Sequence, residues 1–225
     1  MTGGLAPITF PAYETLRSVT ELSAVILCDN PSEMTFEGTN TVILRAPGSP
    51  TCVVVDPGPD DRVHAERIAA LVGEIELVVV THRHGDHTDG IGHLRSFTSA
   101  PVRAVQEEFC RDAAPLVDGE ELHAAGLDII VLATPGHTAD SISLFLPESK
   151  LLFCGDAAMN APISAARHAI WIEDQADYGR SWDKMLALRP ARVYPSHGLP
   201  FHPRDLARYR HFLDNRPLIP PNKSR

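Results

Sequence analysis

Basic charge is scarce in this sequence. Twenty Lys and Arg stand against 29 Asp and Glu, a formal net charge of −9 at pH 7. No Lys/Arg-rich run occurs, so the electrostatic footprint of phosphate-backbone binding is missing and nucleic acid is not an expected partner. Long apolar runs are missing too. Stretches such as residues 77–80 are far too short to span a bilayer, and no membrane partner is expected. The opening MTGGLAPITFPAYETLR lacks a basic segment followed by an apolar one, so no export signal is read there. The four cysteines (Cys28, Cys52, Cys110, Cys154) form no C-x-x-C pair. They read as reduced, buried, small apolar side chains, and the location expected from all this is cytoplasmic. Neither G-x-x-x-x-G-K nor G-x-G-x-x-G occurs, which excludes the usual phosphate-cradling loops. No G-x-S-x-G elbow is evident, so nothing points to a serine nucleophile.

What is present fits a soluble globular domain. The chain has 225 residues, 44% hydrophobic and 22% charged, enough to bury a proper core. Short β-branched runs at residues 24–28, 41–45, 52–56, 76–80, 102–105, 128–132, 141–146 and 151–154 predict strands, most of them bounded by Gly, Pro, Asn or Asp. Helical patterns cover 61–72, 177–188 and 203–213. The first places Val63, Ile68, Leu71 and Val72 on one side, and the last aligns Leu206, Tyr209 and Phe212. The mixture predicts an α/β fold of layered sheets with helices outside. Prolines and glycines fall mostly just after strands, with several histidines beside them, where a scaffold carries functional loops.

The strongest chemical signal is THRHGDH at 81–87, which follows the strand ending in Val78-Val79-Val80. His82 and His84 are two apart, so an extended chain points both the same way. Asp86 and His87 open a following helical turn and face a neighbouring point. Imidazole and carboxylate are ligands that zinc prefers. Four such groups within six positions are hard to assign to a merely solvated loop. Three further candidates stand at strand ends: His137 in TPGHT, Asp156 in FCGD and His197 in YPSHG. Each alone reads as a solvated histidine or a turn aspartate; their shared position gives them weight.

The ordered set T-H-x-H-x-D-H, P-G-H-T, G-D and S-H-G resembles the motif set of the metallo-β-lactamase superfamily, from Thr41 to about Phe201. The resemblance implies a four-layer αβ/βα sandwich with metals in a cleft at one sheet edge. No repeat, low-complexity segment or linker is evident, so the chain itself reads as one domain over residues 1–225, ending in a short C-terminal helix and a Pro-rich tail. One metal would take His82, His84 and His137, the other Asp86, His87 and His197, with Asp156 bridging. Asp56, in VVDPG, matches an early aspartate that supports ligands rather than binding metal itself. Two Zn2+ per chain are implied, although the N/O ligand set also accepts Fe, Mn or Co. A hydroxide bridging two divalent ions would be the nucleophile, with Asp86 as ligand and proton shuttle.

NPSEMTFEGTNT at 30–41 resembles the signature of the β-lactamase-like, glyoxalase-II-like branch, with its thioesterase and endoribonuclease relatives. On that likeness Met34 and Phe36 are apolar lid residues, while Thr39 and Asn40 reach toward the site; Gly38-Thr39-Asn40 reads equally well as a tight turn. Asn160 and His168 join the candidate substrate or supporting residues, and the insert 163–176 lines the pocket or packs over the sheet, with packing the favoured reading for Trp171. His93 reads as structural; His64, His123, His202 and His211 read as solvated. The expected activity is a zinc-dependent hydrolysis of a small ester, thioester, lactone or amide. The alternatives are a phosphodiesterase or ribonuclease, a mononuclear-iron persulfide dioxygenase, and a non-catalytic scaffold, which would ordinarily have lost ligands. The expected partner is a small-molecule substrate, and a homo-oligomer remains open.

Overall fold

Alternation within the strands sets the architecture. In the computed structural model, which describes residues 12–160 and 169–213, six strands form the first sheet: β1 (Leu16–Ser18), β2 (Ser23–Leu27), β3 (Asn40–Leu44), β4 (Thr51–Val55), β5 (Glu74–Val79) and β6 (Val102–Arg103), in that spatial order. The second sheet comprises β7 (Glu121–Ala124), β8 (Leu127–Ala133), β9 (Ile142–Leu146), β10 (Leu151–Phe153) and β11 (Arg192–Tyr194), ordered β11-β10-β9-β8-β7. Neighbours run antiparallel except β4–β5, β5–β6 and β10–β11, which are parallel.

Along β4, Val53 and Val55 point into a core shared with Val42, Leu44, Ile129, Val131, Leu144 and Phe153 of both sheets, while Cys52 and Val54 point the other way. That other face packs beneath α1 (Arg62–Val72) and, beyond the four-residue α2 (Gly85–Thr88), the short α3 (Ile91–Leu94). The outer face of the second sheet lies under α4 (Gln175–Ala187) and α5 (Pro203–Leu213), with Trp182, Tyr178, Met185 and Leu206 packed on Leu152 and Phe145. Three apolar cores between four layers make the expected αβ/βα sandwich.

Two helix boundaries carry side-chain caps. Asp61 accepts from the Val63 and His64 amides, and Asp174 accepts from the Asp177 amide, so α4 starts two residues before the predicted 177. The buried stripe of α1 is His64, Ala65, Ile68 and Val72, while Val63 and Leu71 are exposed. This corrects the predicted face. His64 replaces Val63 in the clean i, i+4, i+8 row because a hydrogen-bonded imidazole is buried there. β1 and β7 were not predicted, β11 was expected only as the strand leading into His197, and the run at 102–105 pairs only through Val102 and Arg103. All four cysteines are free, and no helix among the described residues is long and apolar enough to cross a membrane. The Pro-rich tail and His168 lie outside the described residues.

Candidate metal centre

Chain direction brings the candidate residues to one edge. β4 and β5 are parallel, β10 and β11 are parallel, and β8 runs the same way as β10 because both are antiparallel to β9. The carboxyl ends of β4, β5, β8, β10 and β11 therefore deliver Asp56, His82–His87, His137, Asp156 and His197. β3 is antiparallel to β4, so its amino end brings Thr39, Asn40 and Thr41 to the same rim. The two sheets are stitched there by the Ile142 amide on the Thr81 carbonyl (2.9 Å) and the Asn40 amide on the Ser196 carbonyl (2.8 Å).

All seven predicted ligands meet. His84 Nδ1 lies 3.1 Å from His82 Nε2 and 2.9 Å from His137 Nε2. A second trio has Asp86 Oδ2 at 3.2 Å from His87 Nε2 and 3.3 Å from His197 Nε2. Asp156 sits between them, with Oδ2 3.5 Å from His137 Nε2, 3.9 Å from His82 Nε2 and 3.4 Å from His197 Nε2. Its Oδ1 is 3.8 Å from His87 Nε2. Both trios could hold a metal ion.

The other nitrogen of four histidines is pinned, which dictates the tautomer. Thr81 Oγ1 donates to Asp56 Oδ2 (2.8 Å) and so accepts from His82 Nδ1 (3.1 Å). His87 Nδ1 donates to Asp56 Oδ2 (2.9 Å), His137 Nδ1 to the Trp171 carbonyl (2.6 Å) and His197 Nδ1 to the Gly38 carbonyl (3.1 Å). In the neutral imidazole each Nε2 is thereby left as a lone pair aimed into the centre. Lone pairs and carboxylate oxygens that converge in this way repel one another unless a proton or a metal cation lies between them. His87 Nε2 and Asp156 Oδ1 are moreover buried with no hydrogen-bond partner among the described residues. Buried polar atoms are rarely left so. The donor set therefore fits a divalent cation.

Electrostatics split the cluster. Burial, with His87 adding, holds His82 well below the usual imidazole range, and burial also lowers His84 and His137. Burial opposes charge on His87 and His197 as well, but Asp86, Asp56 and Asp156 raise His87, and Asp156 and Asp86 push His197 up to about 10. Burial would raise the Asp86 and Asp156 carboxyls; His87 and His197 outweigh it and hold both below the carboxylate range.

Asp56 is the hub behind the ligands. It is buried, has φ 56°, and besides His87 and Thr81 Oγ1 it accepts from the Thr81 amide (2.7 Å) and Ser196 Oγ (3.2 Å). The left-handed backbone is held by Thr41 Oγ1, which donates to the Asp56 carbonyl (2.6 Å) and meets His64 Nε2 (2.9 Å). His64 is fully buried against Glu14 (Nδ1–Oε2 2.8 Å). Its solvated reading is thus corrected: Gly58, at φ +91°, leaves the space that the ring fills. Exposed His123 pairs with Asp128 (2.7 Å), His93 pairs with Asp60 (2.7 Å), and His202 is exposed. The His211 side chain lies outside the description.

The remaining candidates divide. Thr39 Oγ1 donates to Asp86 Oδ2 (2.9 Å), and Asn30 holds Thr39 through two hydrogen bonds. Phe36 lies edge-on to His197, ring centroids 6.5 Å apart, and Met34 is 51% exposed. Asn40 and Asn160 commit their side-chain amides to backbone carbonyls. Their amides donate to the Pro195 and Gly198 carbonyls and to the Leu199 carbonyl, bracing the His197 loop, because those carbonyls lack strand partners there. Trp171, read as packing, is 37% exposed beside Ile170 at 45%, and acts on the site through its carbonyl. The sequence reading missed the supporting roles of Thr81, Ser196 and His64. Its only available signal was that the first two immediately precede a ligand.

The sequence profile of the metallo-beta-lactamase superfamily matches residues 34–197. The beta-lactamase-like protein 2 homolog of Caenorhabditis elegans is 30% identical over 195 residues, covering 82% of this chain and 64% of the worm protein. A lactamase-like protein of Pestalotiopsis microspora is 30% identical over 182 residues, covering 79% of this chain and 54% of the relative. The chain thus spans less than two thirds of the length of either. A solved beta-lactamase domain protein from Burkholderia ambifaria has a TM-score of 0.76 at 19% identity, covering 93% of this chain and 76% of the other; that likeness shows the fold.

Proposed function

Since this chain belongs to the metallo-β-lactamase superfamily, we propose that it is a hydrolase holding two zinc ions and acting on a small ester, thioester, lactone or amide. The observation that carries the reading is the His82–His84–His137 trio and the Asp86–His87–His197 trio joined by Asp156, with His87 Nε2 and Asp156 Oδ1 left without a hydrogen-bond partner among the described residues. His82, His84 and His137 would hold one ion, Asp86, His87 and His197 the other, and Asp156 both. Zinc bound there supplies a Lewis acid for the scissile carbonyl and water activated for attack at about neutral pH.

The chain's own residues orient and move protons. Asp56, Thr81, Trp171 and Gly38 hold four of the five imidazoles in place, which limits reorganisation on binding. The Asp86 side chain is 24% exposed, and its carboxylate, with Oδ2 turned to His87 and His197, would take up the proton of the attacking water and pass it to the leaving group. Thr39 Oγ1 steers that carboxylate by donating to it.

Phe36 lies edge-on to His197, and the Trp171 carbonyl meets His137 Nδ1, with the Trp171 side chain 37% exposed. Apolar side chains on segments that touch the centre support an organic acyl substrate, and the net charge of −9 disfavours a polyanion. A small molecule is the proposed partner, with neither nucleic acid nor membrane needed and a cytoplasmic setting consistent with the chemistry.

The test is metal analysis of protein purified without added metal, followed by turnover on esters, thioesters, lactones and amides. Two zincs and hydrolysis are expected. One iron per chain with oxygen uptake on a persulfide, or zinc-loaded protein that cleaves only phosphodiesters, would overturn the reading.

A further inference from the structure

His82 and His84 leave the end of β5, whereas His137 leaves the end of β8 in the other sheet. Something must hold these two loops in register if their nitrogens are to share one ion. The residue between the first two ligands does so. Arg83 Nη1 donates to Asp140 Oδ1 at 2.9 Å, three positions after His137, and Nη2 donates to Glu173 Oε1. Glu173 is itself laced to the His137 loop: its Oε2 accepts from the Ala139 amide (3.1 Å), and its own amide donates to the Gly136 carbonyl (2.8 Å). Two residues earlier, the Trp171 carbonyl fixes His137 Nδ1.

We propose that Arg83 is a positioning residue for the His82–His84–His137 half of the centre, acting through Asp140 and Glu173. This rests on the metal-centre reading above. A planar guanidinium can serve two carboxylates on different segments at once, which an ammonium on a flexible stem does less well. The arrangement places one cation among two carboxylates, a net negative surround that suits a nearby metal. Arg83 and Glu173 are each about a third exposed (33% and 31%), so their pairing adds little to global stability. What it sets is the distance between two loops, and with it the stance of the segment bearing Ile170 and Trp171.

The test is zinc titration of metal-free protein against a competing chromophoric chelator, on wild type, Arg83→Met, Arg83→Lys and Glu173→Gln. Arg83→Met is expected to weaken one of two binding events by about 10–100-fold and leave the other unchanged. Arg83→Lys should recover part of the loss, and Glu173→Gln should show a smaller one. Combined with His197→Ala, Arg83→Met must still weaken the remaining event; combined with His137→Ala, it must add nothing. Equal weakening of both events, or none, overturns the proposal. If Arg83→Met does not fold, Arg83→Lys and Glu173→Gln decide by the same criteria. Wild type that takes up no zinc would instead remove the centre itself.

Discussion

D56N is an almost isosteric change whose consequence can be worked atom by atom. Asp56 Oδ1 accepts from the Thr81 amide (2.7 Å), and Oδ2 accepts from Thr81 Oγ1, His87 Nδ1 and Ser196 Oγ. An N–H cannot accept, so the new carboxamide must keep its oxygen on the Thr81 amide and turn its NH2 toward the Oδ2 position. The Thr81 and Ser196 hydroxyls can rotate to accept; His87 Nδ1 can accept only by giving up its proton. The ring then carries its hydrogen on Nε2, the nitrogen aimed at the second trio, and that lone pair is lost. Asparagine tolerates the left-handed backbone at this position (φ 56°), so the loop itself is kept. Zinc affinity of the Asp86–His87–His197 site should fall about 100-fold, roughly 2.7 kcal/mol, while the other site changes little. Chelator competition measures the loss, and 15N imidazole shifts of the zinc-loaded variant report the proton on Nε2. Ser196→Ala, which removes only the 3.2 Å contact, should change affinity less than about 3-fold, the scale of one modest hydrogen bond. Wild-type affinity for both zincs in D56N would refute the tautomer argument.

Three further outcomes are expected. Asp86→Ala should cut hydrolysis by about 10²–10⁴-fold with an unchanged circular dichroism spectrum; near-normal turnover would remove Asp86 as proton carrier. Gly136 has φ +129° and a Cβ there would meet the Tyr178 amide nitrogen at 2.3 Å. Gly136→Ala should therefore cost about 2–5 kcal/mol, read as a Tm lowered by about 4–20 °C, and disturb His137 next to it. Chelation of metal from protein held at 100 times the zinc Kd should remove about 2.7 kcal/mol for each ion bound, a Tm drop of about 5–11 °C per ion that zinc restores. Protons compete with zinc for the same nitrogens, and His87 and His197 are held above the imidazole range while His82, His84 and His137 are held below it, so as pH falls the Asp86–His87–His197 share of this stabilisation should fade first and the other trio's at lower pH.

How legible this was in the sequence depended on which physical signal each element carries. The strands of the first sheet were visible because β-branched runs between turn residues leave few alternatives. Residues 24–28, 41–45 and 52–56 were expected and Ser23–Leu27, Asn40–Leu44 and Thr51–Val55 found, one residue earlier each time. β7 escaped because Glu121 and His123 point to solvent and leave only two apolar positions, and β1 because three residues carry no period. His64 was misread for a related reason. A histidine on an amphipathic helix looks solvated unless its partners are known, and those partners, Glu14 and Thr41, lie 50 and 23 positions away.

The seven ligand candidates were legible by type, since few other arrangements put so many imidazoles and carboxylates just past strands. Their second contacts were not, and the reason lies in topology. His137 is held by the carbonyl of Trp171, His197 by that of Gly38, and the Asp56 hub by a hydroxyl from β3. Backbone carbonyls have no residue signature, and their nearness follows only from strand directions that a linear pattern does not display. The same directions explain why one rim has the chemistry. Five strands ending there supply the side chains, and β3, starting there, supplies the brace. A parallel pair in each sheet is the minimum that puts consecutive loops at one edge. An antiparallel β4–β5 or β10–β11 would have sent His82–His87 or His197 to the opposite end of the sandwich, with every motif in the sequence unchanged.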